Sequence, residues 1–167
     1  MPIPKKVISY LEEKKIKYET IEHKIVFTAW DLVQTLHLKK PAEAVKTLII
    51  RIGKQPVVIL LPADKNLDKI KFIKVVNKWL EKTGNKKTKT MEFIKEAWLK
   101  SNVKVGKLGA VPPFGKLLGW PIFIDQLILK QTKIIINSGD YGVSLRVKSK
   151  DLEKLEQPII GSFSKKK

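Results

Sequence analysis

The sequence predicts a single α/β domain with a mixed, mostly antiparallel central sheet flanked by helices. Three observations carry that expectation. Segments with helical apolar spacing are interleaved with β-branched runs, some strands follow one another as pairs, and no linker or internal repeat divides the chain. With 167 residues and 43% hydrophobic content, the chain can bury a core of its own.

The elements follow in order. Val7, Ile8 and Leu11 recur at helical spacing and predict a helix over 7–15. Residues 16–23 read as extended. Thr28 is placed to cap a second helix reaching about Leu38, with Asp31 in its first turn. Residues 44–52 and 56–61 are strong strands joined across Gly53-Lys54-Gln55, and the second is apolar throughout, as for a strand covered on both faces. Asn66 is the expected cap of a long helix to about Lys82, with Leu67, Ile70, Ile73, Val76 and Leu80 on its apolar face. Thr90 is the expected cap of a helix over 91–100. Strands are expected over 121–124, 133–137 and 143–147. Ser149 then caps a last helix to Leu155. The domain is expected to span 1–157, leaving 158–167 as a basic, frayed tail.

Charge is the first functional clue. There are 34 Lys and Arg against 16 Asp and Glu, a net +18, and Arg51 and Arg146 are the only arginines. Such a field favours a polyanion, either nucleic acid or an anionic membrane surface. A thermophile's charged surface is the bland alternative, but it would bring matching glutamates. The chain has no cysteine, which excludes disulfides and thiolate catalysis and fits a reducing, cytoplasmic setting. No apolar run is long enough for a membrane helix.

P-loop, dinucleotide, HExxH and GxSxG patterns are absent. The two histidines, His23 and His37, have no neighbouring ligand pattern, so neither metal nor cofactor is expected. The most informative segment is 106–115, with three glycines and two prolines. A backbone constrained in this way can aim several N–H groups at one oxygen, or can be a plain connection. Lys46, inside an apolar strand, either points to solvent or reaches into a pocket. Asp125, at a strand end, either caps a turn or orients a substrate group. Residues 137–142 form a turn that could wall a pocket.

Taken together, His23, Thr28, Ala44-Val45-Lys46-Thr47-Leu48, the strand ending at Pro62, Gly106 to Gly115, Pro121 to Asp125, and Ser138-Gly139 with Gly142 resemble the YbaK/ProX family. The resemblance covers roughly residues 5–156. It implies the fold of the prolyl-tRNA-synthetase editing domain and a freestanding aminoacyl-tRNA deacylase. Lys46 and Gly109 then fall on the catalytic positions. His23, Thr28, Pro112, Pro113, Phe114, Gly115, Asp125, Ser138 and Gly139 fall on substrate-binding positions. The implied partner is the aminoacylated end of tRNA, optionally with a synthetase, and the implied substrate is tRNA-Pro carrying Cys or Ala. The chain departs from the pattern where the prolyl editing insertion has a histidine and this sequence reads Asp140-Tyr141. It departs again at Ser144, where some members carry aspartate. The amino acid removed is therefore left open, and a non-catalytic tRNA- or synthetase-binding module of the same fold is the alternative.

Overall fold

In the computed structural model, which describes residues 3–167, the core is built on both faces of one strand. Strand β3 (Gln55–Pro62) alternates its side chains between two apolar clusters. Val58 and Leu60 enter the first cluster; Val57, Ile59 and Leu61 enter the second. The uninterrupted apolar run follows from that double burial, since successive strand side chains point to opposite faces.

Helix α1 (Lys5–Glu13) buries Val7, Tyr10 and Leu11 in the first cluster, and β1 (Glu19–Glu22) follows it. Thr28 caps α2 (Ala29–Thr35), its hydroxyl accepting from the Asp31 amide at 3.0 Å. β2 (Val45–Ile52) turns into β3 through Gly53 and Lys54, pairing Ile52 with Gln55. Then come β4 (Lys65–Leu67), α3 (Lys69–Lys82), β5 (Met91–Phe93) and α4 (Glu96–Asn102). After the glycine–proline loop stand α5 (Gly115–Leu118), β6 (Ile122–Asp125) and α6 (Gln126–Leu129). The chain ends with β7 (Lys133–Asp140), β8 (Val143–Lys148), α7 (Ser149–Glu156), β9 (Ile159–Gly161) and β10 (Ser164–Lys166).

The strands form a mixed five-stranded sheet in the order β5-β2-β3-β6-β9, an antiparallel β1-β8-β7 sheet, and a β10-β4 pair. In the five-stranded sheet β3, β6 and β9 are parallel, while β2 runs against β3 and β5. A bridge between Ala44 and Ile135 sets β7 beside the start of β2. The first cluster lies between the two larger sheets and α1 and α7. The second lies under α3, where Phe72 packs edge-on against Phe123 and Phe163, each at 5.2 Å between centroids.

Four local expectations are corrected. Asp68, not Asn66, caps α3, accepting from the Lys71 amide at 3.1 Å, because residues 65–67 are drawn into pairing with β10. With the helix starting later, Phe72 and Val76 are buried and Ile70 is exposed. Residues 91–93 pair with β2, so the helix expected from Met91 begins only at Glu96. Ser149 is the first residue inside α7, and its hydroxyl donates to the Gln131 carbonyl in place of capping. The expectation of a frayed tail also gives way: residues 159–161 join the five-stranded sheet and 164–166 pair with β4. No helix among the described residues is long and apolar enough to cross a membrane.

Candidate active site

The tip of the β7–β8 hairpin organises the site. The ladder is irregular between Asn137 and Asp140. Ser138, fully buried, donates its hydroxyl to the Val143 carbonyl at 2.5 Å and accepts from the Asp140 amide. Gly139 sits at φ +105°, and a β-carbon there would lie 2.8 Å from Pro4. A β-carbon on Gly106 would in turn lie 2.7 Å from the Gly139 Cα, so only glycine fits this crossing.

The tip grips two other segments. The amides of His23 and Val26 donate to the carbonyls of Gly142 and Tyr141 at 3.0 and 3.1 Å. The Lys107 amide donates to the Gly139 carbonyl at 2.9 Å, and the Lys107 ammonium meets an Asp140 carboxylate oxygen at 2.7 Å. The Tyr141 hydroxyl donates to the Leu108 carbonyl, and the Asn137 side-chain Nδ2 donates to that of Val111. The Lys107 contact, reinforced by the Gly142 amide, holds the Asp140 carboxyl below the ordinary carboxylate range.

These contacts enclose a narrow cleft of about 10 Å³, where His23, Thr28, Gly109, Asn137, Tyr141 and Ser144 converge. Gly109 takes φ +85°, and a β-carbon on it would stand 3.1 Å from the Phe27 carbonyl. Of the loop amides, those of Lys107, Ala110 and Phe114 donate to backbone carbonyls. Those of Gly109 and Val111 have no backbone acceptor among the described residues. Across the cleft, the His23 Nδ1 is 2.7 Å from the Lys24 carbonyl and Nε2 is 2.9 Å from the Ser144 hydroxyl. The carbonyl can only accept, so Nδ1 carries the proton. In neutral His23, Nε2 then accepts from Ser144, whose lone pairs are left for a donor in the cleft.

Of the residues singled out in the sequence, the structure brings His23, Thr28 and Gly109 to this cleft. Ser138 and Gly139 shape the tip behind it. Pro112, Pro113, Phe114 and Gly115 do not line it. All four are buried, Phe114 against Tyr10 at 5.4 Å, and a β-carbon on Gly115 would meet the Trp120 carbonyl at 2.6 Å. They carry the loop away into the core.

Asp125 also stands outside the cleft lining. It is fully buried, its Oδ1 accepting from the Leu127 amide at 3.0 Å and its Oδ2 from the Phe163 amide at 2.9 Å. Both oxygens are engaged in holding α6 and the C-terminal segment.

Lys46 is outside the cleft lining. Its ammonium donates to the Lys65 carbonyl at 2.6 Å. Burial, then repulsion from Lys167, lowers its pKa, partly offset by Asp64. Lys46 and Asn137 each stand two residues beyond the partners of the Ala44–Ile135 bridge, which relates the lysine to the cleft through adjacent strands.

Sequence reasoning treated Asp140, Tyr141 and Ser144 as departures and did not single out Asn137. The usable signal was polar side chains in the apolar strands, Asn137 after three isoleucines and Ser144 between Val143 and Leu145. No cluster of three or more metal-ligating side chains occurs among the described residues.

The arrangement is that of an α/β domain whose glycine-containing loop presents backbone to a cleft walled by a β-hairpin tip. The family model of the aminoacyl-tRNA editing domain matches residues 23–155, and the chain belongs to that family. It is 27% identical over 155 residues to the prolyl-tRNA editing protein ProX of Acetoanaerobium sticklandii, covering 89% of this chain and 87% of that one. Two crystal structures share the fold. One, of a hypothetical protein, has a TM-score of 0.77 at 17% identity, covering 96% of this chain and all of the other. The second, of a candidate trans-editing enzyme for prolyl tRNA synthetase, has a TM-score of 0.72 at 18% identity and covers 96% of each chain.

Proposed function

We propose that the protein is a freestanding trans-editing deacylase that hydrolyses the ester joining a wrong amino acid to the terminal adenosine of tRNA. The observation carrying this reading is the convergence of the Gly109 backbone and the His23–Ser144 pair on one cleft, in a chain of the editing family. The substrate in this reading is tRNA-Pro carrying Cys or Ala; the similar ProX protein is named as a prolyl-tRNA editing protein, which supports the tRNA but does not name the amino acid.

Water attacks the ester carbonyl carbon, the carbonyl oxygen gains negative charge, and the carbon–oxygen bond to ribose then breaks. The ribose oxygen leaves with a proton, releasing free amino acid and intact tRNA. Ser144 and His23 are paired in the cleft, but the His23 Nδ1 meets the Lys24 carbonyl and Asp140 is held by Lys107, so no serine–histidine–aspartate relay is assembled and the chemistry is assigned to a positioned water assisted by the neighbouring ribose hydroxyl. The Gly109 amide, on the cleft lining and without a backbone acceptor, is the donor assigned to the developing oxyanion. Ser144, donating to His23, accepts from the substrate's ammonium group. Lys46 acts at the ester region of the tRNA end as a cation released from the Lys65 carbonyl. Discrimination by a narrow cleft rests on volume, and one methylene there is worth about 1–3 kcal/mol.

A non-catalytic tRNA-binding module is the second reading, favoured by the engagement of Lys46 with Lys65. Single-turnover hydrolysis of Cys-tRNA(Pro) and Ala-tRNA(Pro) separates the two. Release of amino acid by the wild type, lost in Lys46→Ala, is the expected result. Binding without hydrolysis of any ester leaves the module.

A further inference from the structure

A second cavity lies away from the cleft and is larger than it, a groove of about 600 Å³ between α3 and β9. Lys71, Lys74, Lys78 and Lys82 form one wall at intervals of three, four and four residues, which puts them on one face of the helix. The opposite wall is the edge strand β9 with Gly161 and Ser162. No acidic residue lines the groove, and none of the four lysines enters an ion pair among the described residues.

Like charges one turn apart weaken a helix, so the row needs a reason. Guarding an open sheet edge is one, since lysines commonly do this. The lengths argue against it as a full account. Three strand residues span about 10 Å, whereas eleven helical steps from Lys71 to Lys82 span about 16 Å. The row outruns the edge it would protect.

The row also continues. From Ser162 the chain passes through Phe163 into β10, where Lys166 pairs with Lys65 and Lys165 with Asn66. The ammonium of Lys167 then lies 4.4 Å from the centre of the Trp30 ring on α2, the helix whose cap, Thr28, lines the cleft. A basic surface therefore runs from the end of α3, over β10 and β4, to the helix at the cleft.

We propose that this lysine track binds the phosphate backbone of an RNA duplex, the acceptor arm of the tRNA whose end enters the cleft. The deacylase reading enters only in naming that RNA. Cations repeated along one line suit a chain of phosphates, and a single duplex reaching the cleft accounts for both the groove and its continuation. An acidic protein segment added to β9 would use the groove alone.

The test is equilibrium binding of a fluorescent, deacylated acceptor-stem hairpin to the full chain over a salt series. Lys74→Glu/Lys78→Glu is compared with Lys150→Glu/Lys154→Glu, an exposed pair at the same helical spacing on α7. The groove pair is expected to weaken binding at least tenfold and to reduce the salt slope by about 2, roughly one per lost phosphate contact. The α7 pair should change affinity by less than about threefold. Lys74→Gln/Lys78→Gln, with circular dichroism unchanged, guards against a folding artefact and should show the same order of effect. Equal losses from both charge-reversed pairs would reduce the effect to net charge and overturn the track. Unchanged binding in the groove variants would overturn it too, as an acidic-peptide occupant predicts. Deacylated RNA keeps the readout independent of catalysis: the track can stand if no ester is hydrolysed, and can fall while hydrolysis persists.

Discussion

The ammonium of Lys107 and the carboxylate of Asp140 meet at 2.7 Å, joining the glycine–proline loop to the hairpin tip that walls the cleft. Because that contact lowers the Asp140 pKa, its stabilisation is present above the unfolded carboxylate value and is lost as pH falls through the lower folded value. Amide resonances of Gly109 and Tyr141 should therefore stay unchanged from pH 7 to about 5 and shift only near or below about 4. Movement near pH 6 that persists in His23→Gln would refute the assignment. Asp140→Asn should lower turnover several-fold through a looser loop, while melting temperature changes little.

Gly109→Ala combines a left-handed backbone with a β-carbon 3.1 Å from the Phe27 carbonyl. The backbone penalty is about 1–2 kcal/mol. Turnover should fall at least tenfold, beyond the loss of folded protein, because the loop amides are displaced from the carbonyl oxygen. Single-turnover rates alongside chemical denaturation measure the two effects separately.

Lys46→Ala should reduce single-turnover hydrolysis about a hundredfold while affinity for deacylated tRNA stays within about threefold. A parallel loss of affinity and rate would make Lys46 a binding lysine only.

Asp125→Ala leaves the Leu127 and Phe163 amides without acceptors inside the protein. Each buried orphan costs about 1–3 kcal/mol, and 1 kcal/mol lowers Tm by about 2–4 °C at this size. A fall of several degrees is expected, with the rate per folded molecule unchanged. A lost rate with unchanged Tm would return Asp125 to the substrate pocket.

Glu156 is buried, accepts the Tyr10 hydroxyl at 2.6 Å and the Lys116 amide at 3.1 Å, and has its pKa raised by burial. A raised folded value means its contribution is intact below the unfolded pKa and declines as pH rises through the folded one. Glu156→Gln escapes that decline and still offers an acceptor to Lys116 and a donor to the Tyr10 oxygen. Its stability relative to the wild type should improve from pH 4 to pH 7 in urea unfolding. The opposite trend would show that the ionised carboxylate is preferred in the fold.

Most elements were legible because their signals are local. Thr28 caps its helix with a hydroxyl three residues from the amide it meets. Asn66 misled because the pull on residues 65–67 comes from β10, a hundred residues later. In the site, Gly109 was legible from the density of glycine and proline. Phe114 and Gly115 share that composition but turn into the core, and composition carries no direction.

The amino-acid order determined the alternating apolar faces of β3, the irregular loop, the basic surface and the editing-domain pattern, all properties of residue type and short spacing. The tertiary structure decided which polar groups meet. His23 and Ser144, 121 residues apart, become neighbours because β1 pairs with β8 in one register. Asp125 clamps the C-terminal segment because the Phe163 amide arrives beside it. A strand's side chains change face with every residue, so a register set by distant packing determines whether a polar side chain joins the cleft or supports the fold behind it.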